Sequence, residues 1–142
     1  FAITKQAFEG NPNNVLVSLE KQIEILKSLN IGYAHPICTY HDIPENKSES
    51  TKSDIGFVLY KGSKESLIEL GKQVPLDTFE KKERIVIRFP FKGRLSIQFG
   101  IMKAYPALER FAKKNNLEPG NITEMYNGLE KQIEYMMDFN KR

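Results

Sequence analysis

Hydrophobic periodicity runs along this chain in the order strand, helix, strand, strand, and then passes through the same order again. That repetition limits the fold more than any single residue does. Each half has an amphipathic helix that ends in Asn, passes a short turn and enters a strand carrying a tyrosine. The first half reads Leu29-Asn30-Ile31-Gly32 and then Ile37-Cys38-Thr39-Tyr40-His41. The second reads Asn115-Asn116-Leu117 and then Ile122-Thr123-Glu124-Met125-Tyr126-Asn127. Superposing the tyrosines sets Cys38 against Glu124. Such an order predicts an α+β fold of two βαββ repeats, with helices on one face of a mostly antiparallel sheet. One domain over 1–142 is expected, with repeat one at about 1–61 and repeat two at about 75–142.

The individual elements follow from local pattern. Residues 2–8 alternate through Ile3 and Phe8 as one short strand, which ends at Gly10-Asn11-Pro12. Val15, Leu19, Ile23, Leu26 and Leu29 share one helical face, with Asn13 or Asn14 to cap its start and Asn30 with Gly32 to end it. Strands are expected from about Pro36 to His41 and from Ile55 to Tyr60, separated by a polar surface loop, Glu45 to Ser53. Residues 63–73 form a short helix, and Arg84–Phe89 is a β-branched strand. A longer helical stripe follows: Leu95, Phe99, Met102, Tyr105, Leu108 and Phe111. An interior proline costs about 3 kcal/mol, so Pro106 is expected to kink or break it into Leu95–Ala104 and Pro106–Lys114. A turn at Glu118-Pro119-Gly120 leads to a strand from Ile122 to Tyr126. The last strand spans about Gln132 to Phe139, has apolar residues on both faces, and reads as a sheet edge for dimerisation or a partner.

Composition excludes several classes. With 40% hydrophobic and 27% charged residues the 142-residue chain is too apolar for disorder and of a size for one core. Its net charge of +3 is scattered, which argues against nucleic acid binding by this chain alone. No run approaches the roughly 18 apolar residues of a membrane span. The single cysteine, Cys38, rules out an intramolecular disulfide and fits a reducing, cytoplasmic setting. The chain opens on Phe1 rather than Met, which leaves room for a leader or membrane anchor upstream.

The run Phe89-Pro90-Phe91-Lys92-Gly93-Arg94-Leu95-Ser96, continuing through Tyr105-Pro106-Ala107-Leu108 to Ile122-Thr123-Glu124-Met125-Tyr126, resembles the second half of gyrase-inhibitor-like (GyrI-like) domains. Gly10, the helix around Leu19 to Leu29, Ile37 to Pro44 and Asp54-Ile55-Gly56-Phe57 are similar to the other half. The resemblance implies a pair of βαββ units, related by pseudo-twofold symmetry, around a central ligand cleft. It also implies kinship with effector-binding domains of multidrug-sensing transcription activators, in which an acidic residue within an aromatic-lined cleft meets a cationic ligand. Glu124 stands at the matching position. The chain departs from the activators in lacking a helix-turn-helix segment, and from some members in lacking tryptophan, so tyrosine or phenylalanine has to line the cleft.

Glu124 and Tyr126 lie two apart on a strand and share a face with Ile122. A carboxylate on that covered face is costly to bury alone, and a cationic or donor-rich ligand relieves the cost. Tyrosine faces add cation–π attraction. Tyr40, Tyr105, Phe99 and Met102 complete the candidate ligand-binding set; Tyr40 and Tyr105 read at least as well as core aromatics, and Phe99 and Met102 belong to a helical stripe that is more often core. The segment from His35 to Asp42 suggests a metal, yet Cys38 falls on the opposite strand face from His35, Ile37 and His41, so no metal site is expected. The same geometry defeats a Cys38–His41 nucleophile pair. Lys92, Gly93 and Arg94 form no phosphate loop.

These readings converge on non-catalytic binding of an amphipathic or cationic small molecule, with no cofactor. Two rivals remain. One is a hydrolase of strained or electrophilic small molecules on the same fold, with Glu124 as general base and Tyr126 positioning water. The other is a protein-interaction adaptor, tethered to a membrane by a segment upstream of Phe1.

Overall fold

A computed structural model of the chain describes residues 1–10, 15–41, 51–92, 94–127 and 130–141. The fold is α+β, with eight strands and three helices among the described residues. They gather into two compact units, Phe1–Lys81 and Lys82–Arg142. Strand pairings within each unit are antiparallel. No helix among the described residues is long and apolar enough to cross a membrane.

The first unit begins with β1 (Ala2–Thr4) and β2 (Gln6–Gly10), continues through α1 (Val15–Ser28), β3 (Gly32–Tyr40), β4 (Thr51–Lys61) and α2 (Lys64–Gln73), and ends in β5 (Leu76–Thr78). Its strand order is β5-β1-β4-β3, with β2 also paired to β4. The single strand expected over 2–8 is therefore two. Thr4 turns its hydroxyl inward, where it accepts from the Phe57 N–H at 2.8 Å and donates to Gln22 Oε1 at 2.8 Å. A side chain thus takes a donor that the sheet ladder would otherwise use, and the pairing restarts at Gln6. Strand β4 begins at Thr51, so the last three residues of the expected polar loop are paired with β2; residues 45–50 of that loop lie outside the described residues, as do Asn13, Asn14 and Gly93. Strand β5 carries no apolar alternation, all three of its residues being exposed, and pattern alone does not reveal it.

The close of α1 matches expectation. Asn30 adopts φ +54°, the Ile31 N–H reaches the Leu26 carbonyl and the Asn30 N–H reaches that of Lys27, a left-handed cap that satisfies the final carbonyls. Helix α2 is capped by the Ser63 hydroxyl, which accepts from the Ser66 N–H. Leu19, Leu26, Tyr40, Ile55, Phe57 and Leu70 form the centre of this unit's core.

The second unit is β6 (Ile85–Pro90), α3 (Arg94–Lys114), β7 (Leu117–Asn127) and β8 (Gln132–Lys141), with strand order β7-β8-β6. Three expectations change here. The two arms around Pro106 form one helix. Proline removes one N–H and displaces the carbonyl four residues back, but Pro106 and Met102 both face solvent, where water can serve that carbonyl. Glu118-Pro119-Gly120 belongs to β7, whose register shift between Pro119 and Ile122 absorbs the proline. Strand β8 is the inner strand of its unit rather than an edge, paired with β7 on one side and β6 on the other. Helix α3 ends as α1 does, on an asparagine in the left-handed region, Asn116 with φ +56°.

The buried stripe of α3 differs from the expected one. It runs through Gly100, Ala104, Tyr105, Leu108 and Ala112, while Met102 is 66% and Phe111 50% exposed. Small residues face the sheet because they let the helix backbone come close to it. Hydrophobic periodicity alone points to the bulky neighbours instead.

Candidate functional site

Strand alternation turns Ile122, Glu124 and Tyr126 of β7 toward α3, together with Ile133, Tyr135 and Met137 of β8 and Ile85, Ile87 and Phe89 of β6. Within this layer Glu124 is wholly buried (0% exposed). The Tyr105 hydroxyl, brought by α3, donates to Glu124 Oε2 at 3.2 Å. Directly across the ladder from Glu124 stands Tyr135, also wholly buried, whose ring meets that of Tyr105 edge-on with centroids 5.9 Å apart. The site is thus a carboxylate, one tyrosine that donates to it, and a second tyrosine beside both.

Sequence pattern does not single out Tyr135. Its hydroxyl is buried with no hydrogen-bond partner, an uncommon and costly state. Burial, and next the nearby Glu124 carboxylate, push its phenol above the ordinary tyrosine range. A Cβ placed on Gly100 would collide with that same hydroxyl. Glycine inside a helix is unfavourable by about 1 kcal/mol relative to alanine, so its presence in α3 was the available sequence signal of a close approach. What sequence could not supply was the register that pairs Tyr135 with Glu124.

The other candidates are placed as follows. Tyr126 is partly buried on the same face as Glu124 and packs edge-on against Phe91, with centroids 6.5 Å apart. Tyr40 is a buried core residue of the first unit. Met102 projects to solvent, and the Phe99 side chain lies outside the described atoms. Cys38 is buried in the first unit's core, whereas His41 sits at the surface with its Nε2 2.8 Å from Asp54 Oδ2. Among the described residues no three His, Cys, Asp or Glu side chains gather as a metal site would require.

A groove of about 610 Å³ opens in the second unit between the C-terminal half of α3 and the sheet. Ile85, Ile87, Ala107, Phe111, Leu117 and Phe139 give it an apolar lining. Arg84 stands at its margin, held by Asp138 at 2.8 Å. That volume falls in the range of roughly 300–1,000 Å³ usual for small-molecule sites.

No family model matches the chain, and no curated protein matches it. Among solved structures it is similar to an uncharacterized conserved protein from Listeria innocua, with a TM-score of 0.58 and 12% identity, covering 98% of this chain and 87% of that one. At that identity the likeness shows a shared fold and carries no function.

Proposed function

We propose that this chain is a non-catalytic binding module for an amphipathic small molecule, with Glu124 receiving the ligand's positive or N–H-donating end. The observation that carries the reading is the wholly buried Glu124 between two buried tyrosines. Taking a carboxylate out of water costs several kcal/mol, and an isoleucine or leucine in its place would fill the layer without that penalty. A cation bound beside it recovers the Coulomb energy in a low-dielectric setting, and the tyrosine rings add attraction through their faces. Because Glu124 has no exposed surface, binding requires the Tyr105 turn of α3 to give way.

The GyrI-like organisation, two βαββ halves with a ligand cleft, belongs to the same proposal. Its support is internal. The order β2-α1-β3-β4 recurs as β6-α3-β7-β8, and both long helices end on a left-handed asparagine.

Thermal shifts against matched cationic, neutral and anionic amphiphiles test the assignment. A ligand at 100 times its Kd adds about 2.7 kcal/mol to stability, which such a screen detects. We expect a cation-selective shift that Glu124→Gln removes. Equal shifts from all three charge types, or shifts indifferent to Glu124→Gln, would overturn it.

A further inference from the structure

The strand registers of the second unit place the groove and the buried carboxylate in one row. Ile87 of β6, a wall of the groove, pairs with Tyr135 of β8, and Tyr135 pairs with Glu124 of β7. Adjacent strands lie about 4.8 Å apart, so the groove wall and the carboxylate are separated by only about 10 Å of sheet. Tyr135 stands between them, carrying the buried hydroxyl that has no hydrogen-bond partner. The groove wall, the tyrosine and the carboxylate therefore occupy successive strands of one cross-strand row, with the tyrosine's hydroxyl lying beneath Gly100.

We infer that the ligand is a protonated alkyl or arylalkyl amine that spans this row. Its ammonium group meets Glu124, one of its N–H bonds is accepted by the Tyr135 hydroxyl, and its apolar body runs past Ile87 into the groove against Phe111. The inference rests on the reading of Glu124 as a cation site and adds two demands to it. The cation must carry an N–H, since a quaternary ammonium gives the Tyr135 hydroxyl nothing to accept. Its tail must be long enough to reach the groove. As folded here, the hydroxyl packs against Gly100, so the amine must lift this turn of α3 from the sheet.

Titration of the whole chain with n-hexylamine, n-octylamine and n-octyltrimethylammonium tests both demands. Octylamine is expected to bind about tenfold or more tightly than its trimethyl analogue, the ratio set by a hydrogen bond to a charged donor. Tyr135→Phe should narrow that ratio to the part due to N–H bonds with Glu124, and leave the trimethyl compound's affinity in place. Lengthening the amine from six to eight carbons should strengthen binding by about fourfold per methylene. Phe111→Gln, at a half-exposed position, should flatten this increment. Equal affinity for the two octyl cations, both lost in Glu124→Gln, would overturn the inference while sparing the cation site. A chain-length increment untouched by Phe111→Gln would overturn the role of the groove. Failure of every cation to bind would overturn the cation site and the inference together.

Discussion

Gly100 shows how one missing side chain decides what two elements can hold between them. It lets α3 settle onto the Tyr135 hydroxyl, so an alanine there exchanges a gain of about 1 kcal/mol in helix propensity for a collision. Gly100→Ala should lower stability by about 1–3 kcal/mol in urea unfolding. Tyr135→Phe, which removes the atom struck first, should recover part of the loss, so the double variant should be more stable than the two single effects summed. Strict additivity would mean that the two residues do not touch. At this scale the sequence was informative where chemistry is unusual for its surroundings: a glutamate flanked by Ile122 and Tyr126 pointed to a covered carboxylate, and Tyr105 fell on the helix face that reaches it. It misled where size was taken as a guide to burial. Met102 and Phe111 are large and apolar yet face outward, because the space under α3 is allotted to Gly100, Ala104 and Ala112.

Among the elements, β1 and β2 illustrate the limit of pattern. Alternation through Ile3 and Phe8 reads as one strand, and nothing local announces that Thr4 will bond to Phe57 and Gln22. Its reason lies far along the chain, at Gly56, where a Cβ would run into the Thr4 carbonyl. Thr4→Val keeps the shape and removes the hydroxyl, leaving the Phe57 N–H and the Gln22 carbonyl oxygen each short of a bond. Unfolding midpoints should report a loss of about 1–3 kcal/mol. A neutral result would show that the hydroxyl does not hold the break in place. Helices were easier to read, since each is delimited by residues of its own. Asn30 and Asn116 adopt the left-handed conformation that closes α1 and α3. Strand ends were harder, as with β4, whose polar first turn is fixed by its partner β2 rather than by its composition.

For the molecule as a whole, the buried phenol contributes a loss of stability in alkali. Burial, then the Glu124 carboxylate, raise the Tyr135 pKa in the folded state above the value of about 10 it has when unfolded. The folded chain therefore keeps a proton that the unfolded chain gives up. This contribution is complete below about pH 10 and is lost as pH climbs toward the folded value. Lys5, raised chiefly by its hydrogen bond to Asp77, acts in the same direction, although water and salt screen so exposed a pair. Thermal midpoints should fall between about pH 9.5 and 11, and the fall should be shallower in Tyr135→Phe. Identical slopes would remove the phenol from the balance. The pairing of β4 has a different bearing on the molecule's cohesion. With β3 along one edge and β1 and β2 sharing the other, β4 is released only when three neighbours let go. Strand β8, flanked by β7 and β6, is fastened likewise in the second unit. Neither unit can be unravelled from its middle, so each has to come apart in one step or shed its outer strands first.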